Sequence, residues 1–187
     1  MKPLMEKTAT AATIITVIIF LVLLSYKFSL AITPLTIEQK QVMQFLQEKA
    51  ELSSDYTSLE TAHLQDVKEV MGWADALFLI SVLLLFLFSW HFKINYNQLK
   101  LGKIMQTAGL ISLFTAGLIL LLMLLSFQFI FTLFHQLFFP QGNWQFAADS
   151  LLIQTFPGSF FTAIGLKIFF IAISFSAIIY FIARRFK

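Results

Sequence analysis

The stretch ADALFLISVLLLFLFSWHF, Ala74 to Phe92, decides the fold. Between Asp75 at its start and His91 near its end, only Ser81 and Ser89 interrupt the apolar run. A helix needs about 20 such residues to cross the hydrocarbon of a bilayer. A membrane β-strand would be about 9–11 residues long with alternating polarity, and no such alternation is present. Three further runs have the same character: roughly Ala9 to Ile32 with Lys27 inside it, Ile104 to about Phe131, and Phe160 to Ala183 with Lys167 inside it. The composition agrees, with 58% hydrophobic and 12% charged residues in 187, where soluble domains carry about 25% charged residues. Mean hydropathy is +0.81. An ordinary cytosolic domain, a disordered chain and a coiled coil are excluded. The chain reads as an all-α integral membrane protein, one membrane domain over 1–187 with four transmembrane helices at about 9–32, 74–92, 104–131 and 160–183.

The absence of cysteine excludes disulfides, thiolate metal sites and cysteine nucleophiles. A net charge of +3 without a concentrated basic face gives no nucleic-acid partner. Ser29-Leu30-Ala31 has the small residues of a signal cleavage site, but the run before it exceeds the roughly 7–15 residues of a signal core. Lys27 also sits just ahead of that site, so the first segment reads as an uncleaved anchor. Basic residues collect at Lys2 and Lys7, at Lys93, Lys100 and Lys103, and at Arg184, Arg185 and Lys187. The connection 33–73 is instead rich in acids, and the stretch from Gln136 to Ser159 has no Lys or Arg. By the positive-inside rule both termini are cytoplasmic, and these two connections face outward.

The outer segment 33–73 is expected to be a small helical cap. Thr36 and Gln39 have capping-box spacing ahead of a helix over Ile37 to Leu52, and Thr57 and Glu60 open a second helix through about Met71. That second helix, with Leu59, His63, Val67 and Val70 at helical spacing, is expected to lie on the membrane surface and to bend at Gly72. Asp66 follows His63 by about one turn. The outer loop 132–159 is crowded with rings: Phe134, Phe138, Phe139, Trp144 and Phe146 surround a turn at Pro140, Gly142 and Asn143. An aromatic belt at the interface accounts for some of these. Rings folded over a small volume also suit a pocket for an acyl chain.

Of the three histidines, His91 reads as an interfacial anchor at the cytoplasmic end of the second helix. His63 and His135 share the outer face beside apolar surface. No serine has a nucleophile-elbow context, so histidine acid–base chemistry is what the chain has to offer an enzyme. Lys27, Lys167 and Asp75 are charges at or within the spans, suited to structural pairing or to contact with an ester or a lipid phosphate.

Two stretches resemble the bacterial lipoprotein intramolecular transacylases, which make lyso-form lipoproteins. One is His63-Leu64-Gln65-Asp66-Val67-Lys68. The other runs from Phe134-His135 to Phe139, through Gly142-Asn143-Trp144 and Leu151-Leu152-Ile153, to Phe156-Pro157 and Phe160-Phe161. The likeness covers essentially the whole chain, though the cap ahead of His63 is shorter than in many relatives and Leu64 stands where Met is frequent. The resemblance implies transfer of the sn-2 acyl chain of a diacylglyceryl-cysteine lipoprotein to the α-amine of the same cysteine, with His63 and His135 as the catalytic pair. It implies no cofactor and no metal, with diacylglyceryl-modified lipoproteins as substrate, membrane lipids as surroundings and the bacterial cytoplasmic membrane as location. Asp66 is then expected to hold the His63 tautomer, Asn143 or the Trp144 N–H to stabilise an oxyanion, and Phe134, Phe138, Phe139 and Phe146 to line the acyl pocket. Two other readings stay open on the residues alone. One is a zinc-dependent hydrolase using His63, Asp66 and His135, and the other is a non-enzymatic four-helix scaffold.

Overall fold

A computed structural model of the chain describes residues 2–96 and 98–185, so Lys187 of the basic tail lies outside the described residues. Among the described residues seven helices follow one another: α1 (Lys2–Ile32), α2 (Ile37–Leu46), α3 (Ser58–Asn95), α4 (Gln98–Leu125), α5 (Phe127–Phe138), α6 (Leu151–Thr155) and α7 (Gly158–Ala183). No strand occurs among the described residues. Helices α1, α3, α4 and α7 are long and apolar enough to cross a membrane, as expected of an all-α membrane protein.

The chain forms two compact units. The first comprises 1–31, 76–121 and 167–187. Val17 and Leu21 of α1 and Ala108 of α4 are its buried centre, with Leu85 of α3 and Phe175 of α7 packed against them. Gly109 lets α7 come close, because a Cβ there would stand 3.0 Å from the Ser176 carbonyl oxygen and from the Tyr180 nitrogen. Hydroxyls on these helices turn back on their own backbone: Thr13 Oγ1 donates to the Ala9 carbonyl at 2.7 Å and Ser25 Oγ to the Leu21 carbonyl at 2.7 Å.

The second unit comprises 32–75 and 122–166. Its apolar centre is Val42, Leu46, Leu64, Leu152 and Phe156. Polar anchors set the elements around this centre. The expected box at Thr36 and Gln39 caps α2, and the Gln39 amide then donates to the Thr155 carbonyl at 2.9 Å. The second expected box also forms, with Thr57 N donating to Glu60 Oε2 at 2.9 Å and Glu60 N to Thr57 Oγ1 at 3.3 Å. Glu60 is only 2% exposed, and its other oxygen accepts the Leu152 N–H at 2.8 Å. Burial pushes the Glu60 carboxyl up, but the backbone and hydroxyl donors around it together hold it below the ordinary carboxylate range.

Three sequence expectations need correction. Helix α2 stops at Leu46 instead of reaching Leu52. Glu48 takes a left-handed φ of 61°, Glu48 N bonds the Phe45 carbonyl and Lys49 N bonds the Gln44 carbonyl. This is a Schellman ending built without the customary glycine, so no sequence signal marked it. Helix α3 continues through Gly72 without a break. One glycine costs a helix interior only about 1 kcal/mol, which neighbouring turns absorb, so the cap helix and the span are one continuous helix. At 38 residues it is nearly twice as long as the about 20 residues a bilayer needs. Its polar first turns, with Glu60, His63, Asp66, Lys68 and Glu69, therefore lie outside the spanning part. The third apolar run is broken where a single helix over 104–131 was expected. Helix α4 ends at Leu125, and Ser126 (φ −158°) caps α5 by accepting from the Phe129 N–H at 3.3 Å.

Candidate active site

The second unit brings together the two histidines that the sequence singled out. His63 sits in the first turns of α3 and His135 near the end of α5, 7% and 8% exposed respectively. Their ring centroids are 6.2 Å apart with the planes 28° from parallel. Helical spacing places Phe131 one turn before His135, giving a ring contact of 4.0 Å. His135 Nδ1 lies 2.8 Å from the Phe131 carbonyl oxygen. A carbonyl only accepts, so Nδ1 is the protonated nitrogen and the neutral ring keeps its lone pair on Nε2.

Aromatic rings close around the pair. Phe139 and Phe146 stand 4.8 Å and 5.6 Å from the His63 ring. Trp144 lies 4.9 Å and Phe134 5.5 Å from the His135 ring, and Phe138 packs on Phe134 at 4.7 Å. Phe139 is buried, whereas Phe134 and Phe138 are exposed on α5. Of the four phenylalanines expected to line an acyl pocket, Phe146 flanks His63, Phe134 flanks His135 with Phe138 behind it, and Phe139 touches both histidines, standing 5.5 Å from the His135 ring.

The loop after α5 turns tightly. Phe139 N donates to the His135 carbonyl at 2.7 Å and Gly142 N to the Phe139 carbonyl at 3.1 Å. Gly142 has φ +80°, a left-handed conformation that glycine adopts without strain. This turn carries Gln141 and Asn143 to Asp66, whose Oδ2 accepts from Gln141 Nε2 at 2.7 Å and from Asn143 Nδ2 at 2.5 Å. Asp66 therefore faces two loop amides, where direct contact with the His63 ring was expected. His63 Nδ1 and Asn143 Oδ1 are both buried without a hydrogen-bond partner.

Electrostatics favour neutral imidazoles. Burial, and after it the charge of His135, pushes the His63 pKa down to about 4, against the opposing pull of Asp66 and Asn143. Burial also lowers the His135 pKa, with the Phe131 carbonyl opposing. Two cations this close in a low-dielectric site repel, so the pair takes up at most one proton beyond those of the two neutral rings at a time near neutral pH. Among the described residues no three of His, Asp and Glu are grouped as metal ligands would be. Of the residues in the zinc reading, Asp66 turns its Oδ2 to the two loop amides.

Of the other candidates, His91, Lys27 and Lys167 belong to the first unit and Asp75 ends the first segment of the second. His91 belongs to the first unit, where its Nδ1 is 3.3 Å from Asn95 Nδ2 and its ring is 5.4 Å from Phe92. Lys27, also in the first unit, has its ammonium 5.4 Å from the Phe78 ring centroid. Sequence reasoning missed two participants. Phe131 stands at i−4 from His135, but the third apolar run was read as a span that far. Gln141 lay within the quoted loop with nothing to distinguish it from Gln136 or Gln145.

Comparison with known proteins bears on this geometry. No curated protein sequence matches the chain significantly. Among solved structures, the fold is similar to that of the membrane-integral lipoprotein intramolecular transacylase Lit from Bacillus cereus, with a TM-score of 0.78, 16% identity, and coverage of 97% of this chain and 95% of that one. A histidine-to-arginine variant of the same Bacillus cereus protein matches with a TM-score of 0.74 at 14% identity, covering 99% of this chain and 93% of that one. The family model for lipoprotein intramolecular transacylases matches residues 10–161. The chain is a multi-pass membrane acyltransferase that acts on lipoproteins, and it belongs to the lipoprotein intramolecular transacylase family.

Proposed function

We propose that this enzyme moves the sn-2 acyl chain of a diacylglyceryl-cysteine lipoprotein to the α-amine of that same cysteine, using His63 and His135 as proton carriers. The observation that supports it best is the pair of buried rings 6.2 Å apart, both kept neutral by burial. Ester aminolysis needs that state. The neutral amine attacks the ester carbonyl, the N–C bond forms, and the adduct nitrogen becomes acidic. A neutral imidazole takes its proton. As the C–O bond breaks, the proton is delivered to the glycerol oxygen, so atoms and charge balance without a covalent enzyme intermediate. The Trp144 indole N–H, with its ring 4.9 Å from His135, is the donor for the carbonyl oxyanion in this reading. Phe134, Phe138, Phe139 and Phe146 provide the surface over which the substrate folds back on itself. Bringing amine and ester together in one molecule is worth an effective molarity of roughly 10⁵–10⁸ M when the geometry is right.

The test is conversion of purified diacylglyceryl lipopeptide in detergent, read by mass spectrometry. Isomerisation adds no atoms, so the expected product has unchanged mass and an N-linked acyl chain. A product lighter by one acyl chain means hydrolysis, and one heavier by one chain means a second lipid donor. Either overturns the intramolecular reading. The site is placed by this proposal at the extracellular interface, with both termini cytoplasmic. Because the chain has no cysteine, a cysteine introduced at Gln141 should react with an impermeant thiol reagent in intact cells, and one at Gln98 should be protected. The reverse pattern overturns the orientation.

A further inference from the structure

We propose that Asn143 couples Asp66 to His63, fixing His63 as the Nδ1–H tautomer so that Nε2 is its basic atom. The assignment rests on the reading of His63 as a proton carrier, and it makes Asn143 a positioning residue in place of the oxyanion donor considered from sequence.

The argument starts from Asp66. A carboxylate only accepts, so the Asn143 group facing it at 2.5 Å must be the NH₂, and the usual ambiguity of an amide's orientation is removed. Asp66 also accepts from Gln141 at 2.7 Å, so the loop is held at two points. With its NH₂ committed, Asn143 turns Oδ1 away from Asp66. That oxygen is buried and has no hydrogen-bond partner, and the same holds for His63 Nδ1. Asn143 is also one of the groups that favour a charged His63 ring, so the two side chains are neighbours. Orphaned buried polar atoms are costly, and pairing these two removes both penalties. Amide oxygen can only accept, so Nδ1 of His63 must donate. The chain Asp66–Asn143–His63 then delivers a carboxylate's influence through an amide.

The chemistry follows. His135 is tied to the Phe131 carbonyl through its own Nδ1, and His63 is tied to Asn143 through the same atom. Both rings therefore present Nε2 lone pairs to the reaction. The charged and titratable groups acting on His63 are His135 from α5 and Asp66 from its own helix. Asn143 is the loop's neutral intermediary between the last of these and the ring. An amide relay orients the ring without raising its basicity as far as a directly bonded carboxylate would, which suits a base that has to give its proton up again to the leaving oxygen.

Heteronuclear NMR of the full-length protein in detergent with ¹⁵N-labelled histidine tests this. His63 is assigned by loss of its signals in His63→Ala. At pH 7 the wild type should give the Nδ1–H form at His63. Asn143→Ala should move it to Nε2–H or a mixture and lower turnover roughly tenfold to a hundredfold, a smaller loss than removal of a general base itself. The exchange Asp66→Asn with Asn143→Asp keeps the chain of donors and acceptors but puts the carboxylate directly on Nδ1. It should restore the Nδ1–H form and add a new titration of His63 near neutral pH. Signals of His135, held by Phe131, should be unchanged throughout and report that the unit is folded. An Nε2–H form at His63 in the wild type, or a tautomer indifferent to Asn143→Ala with the His135 signals intact, overturns the relay. Full turnover in His63→Ala would instead overturn the catalytic reading while leaving the tautomer result standing.

Discussion

The two units treat their polar side chains in opposite ways. In the unit made of 1–31, 76–121 and 167–187, hydroxyls bond within one turn: Thr13 to Ala9, Thr16 to Ala12, Ser25 to Leu21, Ser174 to Phe170. A hydrocarbon environment offers such hydroxyls few other partners; Lys100 pairs with Glu6 between α4 and α1, and Ser112 and Ser176 are buried without a hydrogen bond, so most of the contact between these helices is left to shape. In the unit made of 32–75 and 122–166 the partners are far apart in sequence. Asn143 reaches Asp66 across 77 positions, Leu152 reaches Glu60 across 92, and Gln39 reaches Thr155 across 116. There polar bonds fix one segment on another, and the bond from Asn143 to Asp66 lies beside His63. Size should therefore limit change in the first unit, and polarity in the second.

The largest expected effect is in the second unit. His63→Ala and His135→Ala should each lower the turnover of diacylglyceryl lipopeptide by about 10²–10⁴-fold, the usual contribution of a general acid or base. The double variant should be little worse than the worse single one, because one missing carrier already stalls a concerted transfer. His91→Ala, in the first unit, should turn over near the wild-type rate. Independent, multiplying losses would break the idea of one shared proton. Asp66→Asn should lose less than either histidine variant, since a residue at 66 that still accepts from Asn143 retains part of the clamp. Turnover in Asp66→Asn equal to that of wild type would remove Asp66 from the site.

The first unit should respond to volume. Gly109→Ala places a methyl 3.0 Å from backbone atoms of Ser176 and Tyr180, and backbone cannot give way as a flexible side chain can. Overpacking of this kind typically costs about 1–3 kcal/mol. Gly117, on the same helix α4, has nothing within 4 Å of the added carbon, so Gly117→Ala should be neutral or slightly stabilising. Thermal unfolding of the two variants in one detergent, followed by circular dichroism, makes the comparison. Equal melting temperatures would mean that shape does not govern α4 and α7 as argued.

The same contrast explains what was legible from sequence. Four spans follow from hydropathy because a membrane helix satisfies its backbone internally, so each run announces itself without knowledge of the others. The two capping boxes are local in the same sense, and both form. The breaks were harder. Ser126 is one hydroxyl within an apolar run, Glu48 ends α2 in the conformation usually left to glycine, and Gly72, expected to divide the cap helix from the span, lies inside one continuous helix. In the site, the residue types of His63 and His135 and their rings were visible, and the resemblance to a family singled them out. The bond partners were not. Nothing in the spacing of Asp66 tells whether it turns to the ring three residues before it or to a loop 77 positions later. Long-range polar pairing has no period, and a single sequence carries no trace of it.

The smallest expected effect is a missing one. An exposed histidine titrates near pH 6.5, and a base of that kind would add its own loss of rate as the pH falls through that value. Burial lowers the His63 pKa to about 4 and lowers that of His135 as well, so His63 remains neutral through the region where an ordinary imidazole charges, and His135 charges at lower pH than an ordinary one. The substrate's α-amine, with an unperturbed pKa of about 7.7–8.0, is then the group whose protonation limits kcat/KM on the acid side. Between pH 5 and 7 the logarithm of kcat/KM should rise with pH at a slope near one, without an inflection at 6.5. The same shifts act on stability. Between about pH 6.5 and 4 the unfolded chain binds protons at His63 that the folded one refuses, so stability is full above 6.5 and is lost as the pH falls toward 4. Melting temperatures of the wild type measured down that range should therefore fall, and the fall should be smaller in His63→Ala. A slope of two below pH 6.5 in the rate profile, with a melting temperature flat to pH 4, would mean that the site is wet and its histidines ordinary. The distinction between the two units would then no longer rest on a dry, polar-clamped pocket.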